Sequence, residues 1–347
     1  MRIFLIFFIL IIGNQLIGQG CCSGGSGIPI AGGAATGVLK EHQMEVSGNY
    51  QYIRSNKFYT ENRDTAALFD NLNSSYFFLR TDYGLTDKLT LSIAGGYFLN
   101  KSLVELEKTD TISSSGFGDL IIFPRFDIYN KTKNRKQTEV TVGLGLKIPI
   151  GSHSDSNLVF SHPIAGDIYS ISPPTVQPTN GSYDMMFYSF FFRSYQKRKF
   201  RIFANTFYFR RGYNSLGQKF GDYGSVGVFA SKTFFKKLGL TGQLKGEWIG
   251  EMKAARNVDL LASYNIDKIS TGSRKLFFIP QISFIQKSMI FYITNEIPLY
   301  QYVGGSQIGS QHQITIGFNY RFMLKKAGEI IEECDSDVED LQLNISE

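Results

Sequence analysis

The sequence predicts an all-β chain: a transmembrane, up-and-down antiparallel β-barrel of about 12 strands behind an N-terminal signal peptide. Three observations carry that expectation. The first is a two-residue alternation, clearest in Gln311–Phe322 (QHQITIGFNYRF). There His312, Ile314, Ile316, Phe318, Tyr320 and Phe322 share one face, and Gln311, Gln313, Thr315, Gly317, Asn319 and Arg321 share the other. A strand points successive side chains to opposite sides, so one face is greasy and one wet. The greasy face ends in two aromatics, as at the headgroup layer of a bilayer. The second observation is composition: 30 Phe, 19 Tyr and 35 Gly against 9 Pro and 3 Cys. With a mean hydropathy of −0.10, this suits half-apolar strands and excludes a polytopic helical membrane protein. The third is an asymmetry of connections, in which short turns alternate with long polar loops.

The elements follow in order. Met1-Arg2, an apolar run Ile3–Ile12 and small residues at Gly18 and Gly20 form a secretory signal, residues 1–18, cleaved after Gly18 or Gly20. The apolar run falls short of the ~20 residues a spanning helix needs. Residues 19–42 form a glycine-rich segment that opens on Cys21 and Cys22 (CCSGGSG). Cys21 is a candidate for lipidation, although Gly18-Gln19-Gly20 lacks the usual aliphatic start of a lipobox. Paired thiolates also suit a soft metal, and a flexible mature terminus is the third reading. With Cys334 far away in the tail, the cysteines make no disulfide framework.

The barrel is expected over 43–322. Met44–Tyr52 alternates as a first strand, and a polar segment from Ser55 to Leu72 separates it from Tyr76–Tyr83. The tight turn Gly84–Lys88 leads into Leu89–Leu99. Gly116–Tyr129 turns into Gln137–Ile150, and a long loop, about 151–181, carries PPTVQPTNG. Ser182–Tyr195 turns at QKRK into Phe200–Tyr213. Gly221–Phe235 turns at Lys236-Lys237 into Leu238–Gly250, and a loop runs from Glu251 to Ser273. Lys275–Gln286 turns at once into Ser288–Tyr300, and QYVGGSQIGS leads to the last strand. Such strands are long enough for a tilted crossing, which takes ~9–11 residues. A β-sandwich also alternates, but its strands average about five or six residues and its long loops do not gather at one end. Pro124 and Pro280 stand inside predicted strands, where a missing N–H breaks a ladder.

Charge is unevenly spread. Residues 323–347 hold eight acids against Lys325 and Lys326, a balance of −6. Apart from that tail and Arg2, 33 basic and 22 acidic residues leave an excess of +11. No basic block or nucleic-acid motif accompanies it, so anionic lipid or solute is the better partner than nucleic acid. Alternation assigns an inward set of charges: Glu45, Arg80, Asp82, Asp119, Arg125, Asp127, Glu139, Lys147, Arg201, Lys245, Glu247, Glu296 and Arg321. On the lipid side an Arg or Lys would cost ~2–4 kcal/mol at mid-membrane. A mixed set of signs suits a salt-bridged network or a polar constriction more than an ion-selective ring.

Several motifs resemble the outer-membrane β-barrel transporter family named for a meta-pathway of phenol degradation. They are GFGDLIIFPRF at 116–126, GLGLKIPIG at 143–151, NGSYD at 180–184 and KFGDYGSVGVFASKTF at 219–234. GVLKEHQMEVSGNYQY at 37–52 resembles the family's entry into its first strand. The resemblance covers about 37–322 and rests on the order of motifs. It implies an outer membrane of a Gram-negative bacterium, and a porin-like channel passing a small solute, hydrophobic solutes included. The chain departs from the family in its cysteine-bearing start and in the acidic tail, 323–347, which suggests a periplasmic partner.

The alternative is a closed barrel acting as a membrane-surface enzyme, phospholipase-like, or as an envelope scaffold. Such an enzyme needs a His–Ser pair on the outer face, where His312 is expected. His153, Asp155 and His162 in the long loop are conceivable metal ligands, but their spacing matches no recognised site. No phosphate loop, dinucleotide fingerprint or helical zinc-protease motif is present, so no cofactor is expected.

Overall fold

A computed structural model describes residues 37–108, 110–162, 166–264 and 266–324. The signal peptide, Cys21 and the acidic tail from Lys325 onward lie outside the described residues. Among the described residues twelve long strands follow one another around a closed antiparallel ring. They are β1 Gln43–Ser55, β2 Asn71–Thr86, β3 Leu89–Val104, β4 Asp119–Lys133, β5 Lys136–Pro149 and β6 Asp184–Tyr195. The second half comprises β7 Phe200–Arg210, β8 Tyr223–Phe234, β9 Leu238–Ile249, β10 Ser273–Gln286, β11 Met289–Ile308 and β12 Gln313–Met323. Each pairs with its sequence neighbours, and β12 pairs with β1 from Gln43↔Met323 to Ile53↔Gln313.

The twelve segments expected from alternation are all present. β2–β3, β4–β5, β6–β7, β8–β9 and β10–β11 are joined by short turns, and the start of β1 and the end of β12 lie at that same end. In outer-membrane barrels this end is periplasmic. The β4–β5 turn places Asn134 at φ 54° and Arg135 at φ 57°, as a two-residue hairpin turn of the right twist demands.

Burial alternates as the expectation requires. Ile316 is 54% exposed and Leu144 64%, whereas Thr315 and Thr141, on the inward face of the same two strands, are 1% and 0%. The exposed apolar band includes Leu79, Ile93, Phe187, Val228, Leu244 and Ile293 from strands around the ring. Tyr320 and Phe322 stack at 5.0 Å at its periplasmic edge, while Tyr208, Trp248 and Tyr302 mark the opposite edge. Water does not tolerate so continuous an apolar belt; lipid does. Among the described residues no helix is long and apolar enough to cross a membrane, and the crossing is made by strands.

Several strand ends differ from expectation by a few residues, as at Asn71, Val104 and Arg210, and two differences have a clear physical reason. The strand expected from Gly116 is split: Thr111–Phe117 pairs with the upper part of β3, Gly116 takes φ 146°, and β4 resumes at Asp119. β11 runs on through the expected loop to Ile308, because Phe58–Glu61, a continuation of β1, pairs with its upper end. Both prolines are accommodated without a shift of register. The β4–β5 ladder runs to Ile122↔Leu146 and resumes at Arg125↔Gly143, past Pro124. The β10–β11 ladder passes from Phe278↔Ile297 to Gln281↔Thr294, past Pro280.

Candidate functional site

The site is the barrel interior, built in tiers from periplasm outward. At the periplasmic end Arg80 on β2 reaches Glu45 at 3.1 Å and Asp82 at 2.9 Å. Arg125 on β4 meets Asp82 at 3.0 Å, and Arg321 on β12 meets Glu45 at 2.6 Å. Register explains the cluster, since Glu45 stands directly opposite Asp82 on one side and Arg321 on the other. Arg80, Asp82 and Arg125 are fully buried, so each charge depends on the others.

The chain ahead of β1 enters the same mouth. Leu39 is buried and its N–H donates to Thr90 Oγ1 at 2.7 Å, while the Val38 N–H donates to Glu139 Oε1 at 3.2 Å. Thr90 and Glu139 face inward, so residues 37–39 lie across the periplasmic opening. A side chain on Gly37 would fall on the Glu139 carboxylate, which explains glycine at that position.

Toward the outside two further clusters form. Lys147 on β5 sits 3.0 Å from both Asp119 and Asp184, and it donates to Asn180. Asp184 also accepts from Ser182 Oγ at 2.6 Å and from the Gly212 N–H at 3.1 Å. These bonds hold the 180–183 end of the 150–183 loop inward, while Gly166–Ile171 stands exposed. Its Val176 is buried with its carbonyl accepting from Ser114 Oγ, and the Gln177 carbonyl accepts from Lys101 at 2.7 Å. The other cluster joins Lys245 on β9 to Glu296 at 2.8 Å and Glu247 at 3.7 Å, with Tyr223 donating to Glu247 at 3.1 Å.

Between these tiers the interior has two unlike walls. β2, β4 and β6–β8 contribute Phe78, Phe123, Tyr188, Phe203, Phe207 and Phe229, all buried in one aromatic cluster. Phe203 stacks on Phe229 at 4.4 Å, and Tyr188 leans on Phe207 at 5.0 Å. β1 and β9–β12 oppose them with a mixed wall, in which buried Asn49, Gln51, Gln243, Gln281, Thr294 and Thr315 stand among buried Phe277, Ile279, Ile290 and Tyr292. At mid-height the barrel is therefore filled by its own side chains.

Of the inward set, Glu45, Arg80, Asp82, Arg125, Glu139, Lys147, Lys245 and Glu296 are buried, while Asp119, Asp127, Arg201, Glu247 and Arg321 are half-buried. Asp127 and Arg201 stand nearer the periplasmic rim, where Asp127 accepts from the Tyr129 N–H at 3.2 Å and Arg201 donates to Thr233. The aromatic wall is what sequence reasoning missed. Its signal is present in β6, where Met186–Phe192 is apolar on both faces apart from Ser189, so the inward face had to be apolar too. His312 is exposed and meets Asn295 at 3.3 Å. His153 pairs with Ser215 at 2.8 Å, and Asp155 accepts from Ser152. Among the described residues no group of three metal-binding side chains converges.

The chain is similar in structure to the COG4313 outer membrane channel from Pseudomonas putida F1, at 12% identity and a TM-score of 0.61, over 82% of this chain and 97% of that one. It also matches a KdgM porin at 8% identity and a TM-score of 0.38, over 80% and 99% of the two chains. A NanC porin matches at 9% identity and a TM-score of 0.41, over 80% and 98%. No protein-family model and no curated protein matches the chain. The first likeness and the apolar belt together give the fold: a transmembrane β-barrel of the outer-membrane kind.

Proposed function

We propose that the chain is a gated outer-membrane channel for a small hydrophobic solute, with an aromatic part favoured. The observation that carries this reading is the aromatic wall formed by Phe78, Phe123, Tyr188, Phe203, Phe207 and Phe229. A hydrated ion or sugar entering there would lose its water without recovering hydrogen bonds from that wall, a cost of a few kcal/mol per polar group. An apolar solute instead replaces ring–ring contacts with ring–solute contacts of similar strength. The opposed amide and hydroxyl wall gives a polar substituent somewhere to bond, which suits phenol-like molecules. The finer placing in the phenol meta-pathway family is part of this proposal and rests on the order of the sequence motifs.

The closed interior makes the route gated. Passage requires the 37–39 segment and the aromatic side chains to move, and neither movement breaks the ladder of the wall. The test is uptake of a labelled apolar aromatic compound by intact cells, compared with a sugar of similar size. Expression is expected to raise aromatic uptake alone, and Phe203→Arg, in protein that still assembles at the surface, to abolish the rise. Equal gains for the sugar, or none for the aromatic compound, would sink the reading.

A further inference from the structure

The chain's excess of positive charge gathers at one place in the fold. The β4–β5, β6–β7 and β8–β9 turns stand side by side on the periplasmic rim. Between Lys133 and Lys136, across Lys197–Lys199 and at Lys236 and Lys237 they carry eight exposed cations and no acid. The other two turns carry one cation each, at Lys88 and Lys287, and Lys88 is offset by Asp87.

Basic residues just inside these turns have different surroundings. Lys131, Arg193 and Lys232 lie over the Tyr129, Tyr195 and Phe234 rings at 5.7, 5.7 and 5.2 Å. Cations stacked on the aromatic girdle belong at headgroup level. Of the turn cations Lys136 reaches back over the Tyr195 ring at 5.9 Å, and the other seven stand exposed at the turns themselves. Like charges so close repel one another, and a counter-charge from the aqueous side relieves that repulsion.

The chain supplies such a counter-charge at the same end. The Leu324 N–H donates to the His42 carbonyl at 2.9 Å, which fixes the start of the acidic tail at the periplasmic rim. Residues 325–347 then bring eight acids against two lysines. Reach is sufficient. Twelve strands about 4.8 Å apart and tilted by ~40° close a ring roughly 24 Å across. Glu332 stands eight residues past Leu324, a span of up to about 28 Å when extended.

We propose that the acidic tail docks on the cationic rim of the β4–β9 half of the barrel. β12 and the β6–β7 turn lie on opposite sides of the ring, a separation that the length of the tail covers. A tether of this length holds the acids at an effective concentration in the millimolar range, which favours this occupant over a free anionic partner. The attraction is between exposed charges, and it weakens once the screening length of about 8 Å at physiological salt falls to ~3 Å at 1 M.

Cys334 lies within the tail and offers the probe. The full chain with Cys21→Ser and Cys22→Ser is spin-labelled at Cys334 and placed in zwitterionic phospholipid vesicles. The label is expected to show an immobilised component at low salt. That component should disappear in 1 M salt and in a Lys197→Glu, Arg198→Glu, Lys199→Glu variant. A label equally mobile in all three conditions would overturn the proposal, as would an immobilised component that survives the charge reversal. Immobilisation that arises only when anionic phospholipid is added would assign the rim to lipid instead. Each readout concerns the tail alone and is independent of whether the barrel conducts.

Discussion

Replacing Lys245 with Met is the sharpest test of the interior network. The ammonium sits 2.8 Å from Glu296 and 3.7 Å from Glu247, and both Lys245 and Glu296 are almost wholly shielded from water. It also lies 4.5 Å above the Phe277 ring, a contact that the methionine side chain partly keeps. The loss is therefore mainly electrostatic. Stranding a buried carboxylate by removing its partner costs about 3–5 kcal/mol. That is a shift of roughly a hundred- to several-thousand-fold in the folding equilibrium. With a urea slope of ~2 kcal/mol/M the midpoint falls by about 1.5–2.5 M. Trp248, the single tryptophan, lies three residues further along the same strand on the lipid face. Its fluorescence reports unfolding from vesicles. Lys245→Met with Glu296→Leu removes both charges and is expected to recover most of the loss, because no stranded charge remains. A single variant within ~0.5 kcal/mol of wild type, or a double variant no better than the single, would refute the reasoning.

Two further outcomes follow from the belt and from the periplasmic mouth. Leu244→Arg places a guanidinium at the exposed apolar face and is expected to cost about 2–4 kcal/mol in vesicle unfolding; a neutral result would mean that this face does not meet lipid. Leu39→Asp puts a carboxylate beside Glu139 and removes a buried apolar anchor. The 37–39 segment should then leave the mouth, so that a cysteine placed at Thr141, buried beneath it, reacts with a water-soluble maleimide; unchanged protection would show that the segment stays in place.

The wall of the barrel was legible in the sequence, and its filling only in part. Alternation in Gln313–Met323 or Leu238–Ile249 is a local property, and pairing with neighbouring strands followed from connection lengths. Parity also selected the inward charges, since Arg80, Lys147 and Lys245 had no tolerable alternative on the lipid side. What no single strand encodes is which of them meet. Arg80 reaches Glu45 because β1 and β2 are registered at Glu45↔Asp82, and Lys245 reaches Glu296 across β10. Strand-by-strand reading also favours a wet interior, so it misses that Phe203 and Phe229 face one another inside the ring. Their inward placement emerges only once β7 and β8 are aligned.

The junction near the C-terminal strand carries one more consequence. β12 pairs with β11 only from Met289↔Tyr320 to Glu296↔Gln313, and above that point Phe58–Glu61 takes its place against Val303–Ile308. The circle is thus fastened twice, once by the last strand and again by a clasp that belongs to the first. Prising the two chain ends apart at one level leaves them joined at the other. Amide exchange along this junction should therefore report two protected patches with separate lifetimes.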